Sequence, residues 1–477
     1  MNLPVARCWA GLAGFLAGES GARSVEVEAL EKLAGGAIQE NWGFVARFDD
    51  GPFDGEHRLV LRTDAATGVA NSLRRIEEFA VLQAAHVAGV TVPEPLWVCP
   101  DTAIIGRPFF VMRRLPGTPQ GREITTDPTL EPHLADIAAR LGRELARIQT
   151  VRPPRSELDF LPVVDAASQI AGFRVYLDRH PRPRPVLEWA IRWLETHLPD
   201  PLPPVLCHRD FRTGNYLIDV SRLTAILDWE FAGWGDPDED IGWLCCKGWR
   251  FARLDRELGG IAGRAPFYEA YEAASGRRLD AARVHFWEVF ANVRWAIIAL
   301  QQSDRHLIGG ARDLSTAIIG RRATECDLEL LMLLDPGGAP SLPGVDPAAA
   351  DPLRDFPSGP ALAALGREWM LRELLPLAPP EHHRDLRLAA TAISIAAREA
   401  TAGHAPLRAI SEGLENFYRE RAPLAALLAR FALALRTGAF ELCEPRARAA
   451  RAILWHLTML KLREANPGFL AANGFGD

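Results

Sequence analysis

The stretch that decides the fold is residues 205 to 230, which read Val-Leu-Cys-His-Arg-Asp-Phe-Arg-Thr-Gly-Asn-Tyr-Leu-Ile-Asp-Val-Ser-Arg-Leu-Thr-Ala-Ile-Leu-Asp-Trp-Glu. Short apolar runs flank a polar loop that begins at His208, and a second apolar run ends at Asp228. This pattern predicts β-strands joined by a loop rather than a helix. The loop also carries Asp210 and Asn215. A carboxylate can accept a proton, and hard oxygen atoms of this kind can hold Mg²⁺.

The spacing of these residues limits the kinds of reaction that the loop could support. His208, Asp210 and Asn215 satisfy the pattern His-Arg-Asp-x-x-x-x-Asn, and Asp228 follows thirteen residues after Asn215. The passage resembles the aminoglycoside phosphotransferase and choline kinase-like family, in which Asp-Trp-Glu or a relative replaces the Asp-Phe-Gly of protein kinases. The resemblance runs from about residue 33 to about residue 333. It implies an α+β, protein kinase-like fold with a small β-rich N-lobe and a mainly helical C-lobe.

The same resemblance assigns roles to the loop. Phosphoryl transfer needs little covalent chemistry from the protein and much positioning and neutralisation of charge. Asp210 would be the catalytic base, His208 would orient the loop, and Asn215 and Asp228 would hold Mg²⁺ on the phosphates of ATP or GTP. The neighbouring residues Arg209 and Arg212 could contact phosphate or only solvent, and the sequence leaves both open.

The region before residue 115 supplies a candidate nucleotide-phosphate site. Gly35 and Gly36 occupy the place of the family's phosphate-covering loop, where glycines let main-chain N–H groups approach the nucleotide. Ile38 stands where such loops often carry serine. A hairpin is predicted from residues 41–48 and 57–61, and a helix from residues 73–87.

Arg62 follows the second strand of this hairpin, where many kinases use lysine to hold the α and β phosphates. A guanidinium is permanently charged and binds phosphate bidentately, so it is a plausible substitute. Resemblance and spacing make Glu78 the expected ion-pair partner of Arg62, and Glu77 is its competitor. We expect only one of the two carboxylates to be buried.

Residues 235 to 241 read Gly-Asp-Pro-Asp-Glu-Asp-Ile and fit the family's Gly-Asp-Pro-x-x-Asp pattern. We interpret this stretch structurally, as the start of a helix. Asp236 would be the N-cap, Pro237 the first helical residue and Glu239 the third.

Composition limits the other classes of function. The chain has 477 residues, of which 48% are apolar, and 54 basic residues against 61 acidic ones give a formal charge of −7. This charge argues against a nucleic-acid partner. The sequence contains no run of about 18 apolar residues, so no membrane span is predicted. Seven cysteines without a Cys-x-x-Cys pair indicate reduced thiols and a cytoplasmic protein. The apolar segment 8–18 is interpreted as an amphipathic first helix rather than a signal peptide.

Four segments are predicted. Residues 1–115 form the N-lobe, residues 116–334 form the catalytic C-lobe, and residues 335–354 form a linker rich in Pro and Gly. Residues 355–477 contain five stretches with an apolar stripe at helical spacing, which predicts an all-α bundle. The bundle faintly resembles an uncharacterised helical domain found beside such kinases, and it could mediate homo-oligomerisation.

The predicted function is transfer of the γ-phosphoryl group of ATP or GTP to a hydroxyl group of a small molecule. Resemblance to domains joined to acyl-CoA dehydrogenases suggests a metabolite or a hydroxyacyl compound as acceptor. Residues 236–325 contain 13 acidic and 13 basic side chains, a balance that disfavours a polycationic antibiotic. Two alternatives stay open, a catalytically weak pseudokinase that only binds nucleotide and an aminoglycoside kinase.

Overall fold

The computed structural model describes residues 5–33, 39–64, 72–251, 253–307, 314–340, 357–441 and 443–475. The chain divides into two compact units. The first unit contains residues 1–165 and 200–287, and the second contains residues 166–199 and 288–477.

The first unit begins with a helix and an antiparallel sheet. The helix is α1 (Val5–Ser20), and the five strands are β1 (Ser24–Lys32), β2 (Gln39–Asp49), β3 (Gly55–Asp64), β4 (Pro95–Cys99) and β5 (Phe109–Arg113). The strand order is β1-β2-β3-β5-β4. In this register Arg62, near the end of β3, lies between Asn41 on one neighbouring strand and Phe110 on the other.

Alternation along β3 decides what each face of the sheet contacts. Leu59 and Leu61 are buried in a cluster with apolar residues of α1. Val60 belongs to a cluster with α2 (Arg75–Val87), which includes Phe79. Because side chains alternate across a strand, Arg62 shares the face of Val60 and therefore points towards α2. The amphipathic pattern thus places the only charged residue of this buried run next to the helix.

The rest of the first unit surrounds two small strand pairs. The pairs are β6 (Val205–Cys207) with β9 (Gly233–Gly235) and β7 (Tyr216–Asp219) with β8 (Arg222–Ile226). The helices are α3 (Thr102–Ile105), α4 (Gly121–Thr126), α5 (Leu134–Ile148), α8 (Glu239–Cys245), α9 (Ala265–Ser275) and the first residues of α10 (Ala281–Leu307). The loop from His208 to Asn215 lies between β6 and β7, as the sequence predicts.

The second unit is helical. It contains α6 (Ala166–Arg179), α7 (Pro185–Thr196), the remainder of α10, α11 (Leu314–Arg321), α12 (Ala323–Leu334), α13 (Gly359–Trp369), α14 (His383–Ala402), α15 (Ala405–Tyr418), α16 (Leu424–Arg436), α17 (Glu444–Ala465) and α18 (Pro467–Ala472). A π-helical turn, Met370–Leu374, extends α13. The five helical stretches predicted after residue 355 are all present.

The division into units differs from the predicted segments. The sequence groups residues 166–199 with the C-lobe, whereas the structure packs α7 against α16 and α12 against α17. Arg436 of α16 donates to both oxygens of Glu188 on α7 at 2.8 and 2.9 Å and to Asp178 of α6 at 2.5 Å. The C-terminal helices therefore share a core and an ion-pair network with earlier parts of the chain. The predicted linker lies largely outside the described residues, because positions 341–356 are not described.

Candidate active site

The loop between β6 and β7 holds the Asp210 carboxylate in a defined orientation. Asn215 donates from Nδ2 to Asp210 Oδ2 at 2.5 Å and to the main-chain oxygen of Asp210 at 3.0 Å. Oδ1 of Asp210 accepts from Nε1 of Trp243 at 2.8 Å and from Nε of Arg212 at 2.9 Å. A carboxylate offers about four lone-pair positions. Among the described residues three of these positions are filled, and the fourth, on Oδ2, is left for an incoming donor.

His208 connects this loop to the strand that leads to Asp228. Its ring is fully buried, with Nε2 2.9 Å from the oxygen of Leu227 and Nδ1 3.3 Å from the main-chain N of Asp210. A carbonyl only accepts and an N–H only donates, so the neutral tautomer with its hydrogen on Nε2 satisfies both contacts. Burial lowers the pKa of His208 and favours this neutral form. Both ring nitrogens are therefore engaged with main chain, which suits an orienting group rather than a proton carrier.

Asp240 also holds this loop in place, a role that was not predicted from the sequence. Its two carboxylate oxygens accept the main-chain N–H groups of His208 and Arg209, each at 2.7 Å. Asp240 is completely buried, and Arg209 has a φ of +63°, a conformation that a non-glycine residue rarely adopts. The two charge-assisted hydrogen bonds hold this strained backbone in place. The sequence feature that could have indicated this role of Asp240 is the final aspartate of the Gly-Asp-Pro-x-x-Asp pattern.

The predicted helix start at this motif was wrong by two residues. Helix α8 begins at Glu239, and Asp236 is not its N-cap. Arg283 donates to Asp236 at 2.5 Å and to Asp238 at 3.0 Å, while Arg277 forms a second ion pair with Asp238. Asp236 and Asp238 are therefore held by arginines from later in the chain, which local capping rules cannot anticipate.

Arg62 links the sheet to the strand end at Asp228. Its Nε donates to Glu78 at 3.0 Å, and its Nη2 lies 2.9 Å from the other oxygen of Glu78 and 2.5 Å from Asp228 Oδ1. A third contact joins Nη1 to Asn41 at 3.3 Å. Burial alone lowers the pKa of Arg62, but Glu78 and Asp228 outweigh it, so the pKa is raised and the guanidinium stays charged.

Glu78, and not Glu77, is the carboxylate that contacts Arg62. Glu78 lies on the buried face of α2 and also pairs with the fully buried Arg75, whereas Glu77 pairs with Arg74 at the start of the helix. Adjacent helical residues point about 100° apart, so only one of the two glutamates can face the sheet. The alternation of β3 and the apolar stripe of α2 together select Glu78.

The segment after β8 collects two further carboxylates. Asp228 has a φ of +70°, and only about a quarter of its side chain is exposed. Burial raises the pKa of Asp228, but the positive charge of Arg62 exceeds this effect and the net pKa is lowered. At Glu230 the net pKa is raised instead, first by burial and then by the negative charge of Asp228. Ser72 donates to Glu230 at 2.6 Å and Gln39 at 2.9 Å, so this carboxylate connects the segment after β8 to the start of β2 and to the residues before α2.

Two oxygen atoms of this site suit Mg²⁺. The amide nitrogen of Asn215 is occupied by Asp210, which leaves its Oδ1, and Arg62 contacts only Oδ1 of Asp228, which leaves Oδ2. Within the described ranges, no group of three or more His, Cys, Asp or Glu side chains could hold a metal ion by itself. Mg²⁺ is usually bound by one or two protein ligands together with phosphate oxygens and water. Asn215 and Asp228 fit that requirement.

The remaining sequence predictions have mixed outcomes. Gly35, Gly36 and the substitution at Ile38 lie outside the described residues. Arg209 forms an ion pair with Glu239 at 3.2 Å, and Arg212 contacts Asp210. Neither arginine is simply a solvent-exposed side chain. In the part of the chain that is described, no helix has the length and hydropathy needed to cross a bilayer.

Comparison with known proteins identifies the family and the fold. The profile of the phosphotransferase enzyme family matches residues 30–287, and a domain of unknown function matches residues 376–469. A crystal structure from Ralstonia eutropha, classed among aminoglycoside phosphotransferases, has a TM-score of 0.54 at 20% sequence identity. It covers 68% of this chain and 97% of its own length, which shows that the fold is kinase-like.

Sequence relatives come from two groups. Mouse acyl-CoA dehydrogenase family member 10 is 32% identical over 205 residues, which are 40% of this chain and 18% of the mouse protein. Human acyl-CoA dehydrogenase family member 11 is 27% identical over 246 residues, or 46% of this chain and 30% of the human protein. Viomycin phosphotransferase of Streptomyces vinaceus is 28% identical over 201 residues, or 39% of this chain and 66% of that enzyme. Because the family profile covers more than half of the chain and includes every residue of the loop, this chain belongs to the phosphotransferase enzyme family.

Proposed function

We propose that the protein transfers the γ-phosphoryl group of ATP or GTP to a hydroxyl group of a small molecule. The observation that carries this proposal is the Asp210 carboxylate, which three side chains orient and which keeps one lone-pair position open on Oδ2. A base held in this way can receive the hydroxyl proton as attack begins.

In the proposed reaction, the acceptor hydroxyl donates a hydrogen bond to Asp210 Oδ2, and its oxygen attacks the γ-phosphorus. The bond from the γ-phosphorus to the bridging oxygen breaks, so the products are a phosphate ester and a nucleoside diphosphate. Asp210 takes the proton of the hydroxyl and later releases it to solvent. Mg²⁺, held by Asn215 and Asp228, would neutralise charge on the phosphates. Arg62 would steady the phosphates, and Glu78 would keep Arg62 in position.

The first test is thermal stability with ATP and with GTP, each with and without Mg²⁺, for the wild type and for Asp228→Ala. A ligand that binds the native state raises Tm by mass action, so nucleotide binding can be detected before the acceptor is known. We expect a Mg²⁺-dependent rise in Tm that Asp228→Ala loses. In Asp210→Ala, nucleotide binding should persist while kcat falls roughly 10²–10⁴-fold. Activity near that of the wild type in this variant would reject Asp210 as the base.

One contact favours a second candidate, a module that binds nucleotide without turnover. Arg62 already contacts Asp228, the residue proposed to hold Mg²⁺, so this ion pair competes with the metal. That candidate predicts nucleotide binding that does not depend on Mg²⁺, together with no phosphate ester from any acceptor. The stability experiment therefore separates the two candidates.

The acceptor and the assembly are further parts of the proposal. A hydroxylated metabolite or hydroxyacyl compound is supported by the relatives named as acyl-CoA dehydrogenases, although the matched region is a minor part of those proteins. We place the protein in the cytoplasm.

We also propose that a second copy covers α13, because Leu362, Leu365 and Trp369 are each more than half exposed and share one face of this helix.

A further inference from the structure

Arg212 lies two residues after the proposed base and is held from three directions. Its Nε donates to Asp210 at 2.9 Å, its Nη1 donates to the main-chain oxygen of Thr213 at 3.2 Å, and its guanidinium lies 4.4 Å from the ring centroid of Trp249. An arginine has five N–H donors, of which these hydrogen bonds use two. Within the described residues no hydrogen bond engages Nη2, and about a quarter of the side chain is exposed.

We propose that Arg212 binds an anionic group of the acceptor, and that the acceptor is a hydroxylated carboxylate or phosphate with an apolar body. This inference rests on the proposed function, since it concerns the second substrate of the same site. Nε of Arg212 orients Asp210, while the outer nitrogen is available for the acceptor. One side chain thus ties the position of the anionic group to the position of the base.

The lone-pair count on Asp210 supports this placement. Oδ1 is filled by Arg212 and Trp243, so the attacking hydroxyl can only approach Oδ2 beside Asn215. The acceptor must therefore place its hydroxyl at one carboxylate oxygen while its anionic group meets the guanidinium that contacts the other oxygen. This geometry requires the hydroxyl and the anionic group to lie a few bonds apart in the acceptor.

The surroundings of Arg212 have the matching chemistry. Trp249 stacks on Arg212, and the ring of Phe251, which is 39% exposed, lies over Gly121 and leaves no room there for a Cβ. An aromatic wall suits a carbon chain, and the guanidinium of Arg212 suits an anion. A polycation would instead place positive charge beside a fixed guanidinium, which is unfavourable.

The test compares acceptors that differ only in charge. The probes are 3-hydroxybutyrate against 3-hydroxybutyramide and glycerate against glyceramide, with kanamycin as the polycation. Phosphate-ester formation from ATP and Mg²⁺ is followed by ³¹P NMR. The wild type should prefer each acid to its amide. Arg212→Gln should lower kcat/KM for the acids about 10–100-fold more than for the amides, mainly through KM, because a charge-assisted hydrogen bond is lost.

Two further variants control the experiment. Arg212→Lys restores the charge and should recover part of the preference for acids, whereas Arg222→Gln, on the exposed end of β8, should behave like the wild type. The decisive quantity is the ratio of kcat/KM for each acid to kcat/KM for its amide, because a variant that merely disturbs Asp210 or the fold lowers both values alike. Tm of each variant shows whether it is folded.

Two results would overturn the inference. One is an equal loss for acids and amides in Arg212→Gln, which would mean that Arg212 acts on the base or on the transferred phosphoryl group. The other is turnover confined to amides or kanamycin, or turnover of none of the acids while Mg²⁺–nucleotide still raises Tm of the wild type. If Tm of the wild type does not respond to nucleotide, the proposed function itself fails, and this outcome is distinct from the other two.

Discussion

The two hydrogen bonds that Asp240 accepts from the loop between β6 and β7 should make a large contribution to stability. Asp240→Asn preserves the shape of the side chain but leaves one oxygen and one NH₂ group to face the N–H groups of His208 and Arg209. A hydrogen bond to a charged group contributes about 1.5–3 kcal/mol, and a buried N–H without an acceptor costs about 1–3 kcal/mol. The substitution should therefore destabilise the first unit by about 3–5 kcal/mol.

This loss is measured most directly by urea unfolding, with thermal unfolding as a second probe. For a unit of this size each kcal/mol lowers Tm by about 2–4 °C, so a fall of about 10 °C is expected. The matched control is Asp219→Asn, a half-exposed aspartate at the end of β7, which should change the free energy of unfolding by about 0.5 kcal/mol or less. Nucleotide binding by Asp240→Asn should weaken as well, because the loop carries Asn215. If the two variants are equally stable, the two hydrogen bonds do not hold the loop.

Three other outcomes are expected. Glu78→Gln breaks a buried ion-pair network and should cost about 3–5 kcal/mol in urea unfolding, whereas Glu77→Gln should cost about 1 kcal/mol or less; equal costs would contradict the assignment. Burial and nearby arginines lower the pKa of Lys461 from 10.5 to about 8. Lys461→Met should therefore stabilise the fold by about 1–3 kcal/mol at pH 7. This gain should fade between pH 8 and 10.5, where the lysine is charged only in the unfolded state. A gain that does not depend on pH would show that the lowered pKa of Lys461 is not its cause. Light scattering should show a smaller assembly for the double variant Leu365→Gln, Trp369→Gln, and an unchanged mass would exclude α13 as the contact between copies.

Local pattern was sufficient to predict the parts of the site that lie close in sequence. The loop from His208 to Asn215 and the strand end at Asp228 follow from apolar runs and turn residues, because the contacts are short in range. Resemblance and spacing already favoured Glu78 over Glu77, and the structure adds the physical reason, which combines the periodicity of a strand with that of a helix.

Contacts between distant segments could not be derived in this way. The carboxylate of Asp240 lies 32 residues from His208, and the local sequence around it equally suits a helix start. The same limit applies to domain organisation. Arg436 pairs with Glu188 across 248 residues, and no feature near either residue indicates that the C-terminal helices share a core with α7. Burial of both partners is decided by packing, which a pattern of apolar residues does not specify.

The electrostatics of the site explain why an arginine is compatible with the position of Arg62. The guanidinium divides its nitrogens between Glu78 and Asp228, a fork that one ammonium group cannot reproduce with the same geometry. The lowered pKa of Asp228 keeps this carboxylate ionised, and the lowered pKa of His208 keeps the imidazole neutral with its hydrogen on Nε2. Both groups are thus held in the protonation states that oxygen ligation and loop orientation require. If nucleotide binds as proposed, its phosphates compete with Asp228 Oδ1 for Arg62, while Asp228 Oδ2, which Arg62 does not contact, stays available to a metal.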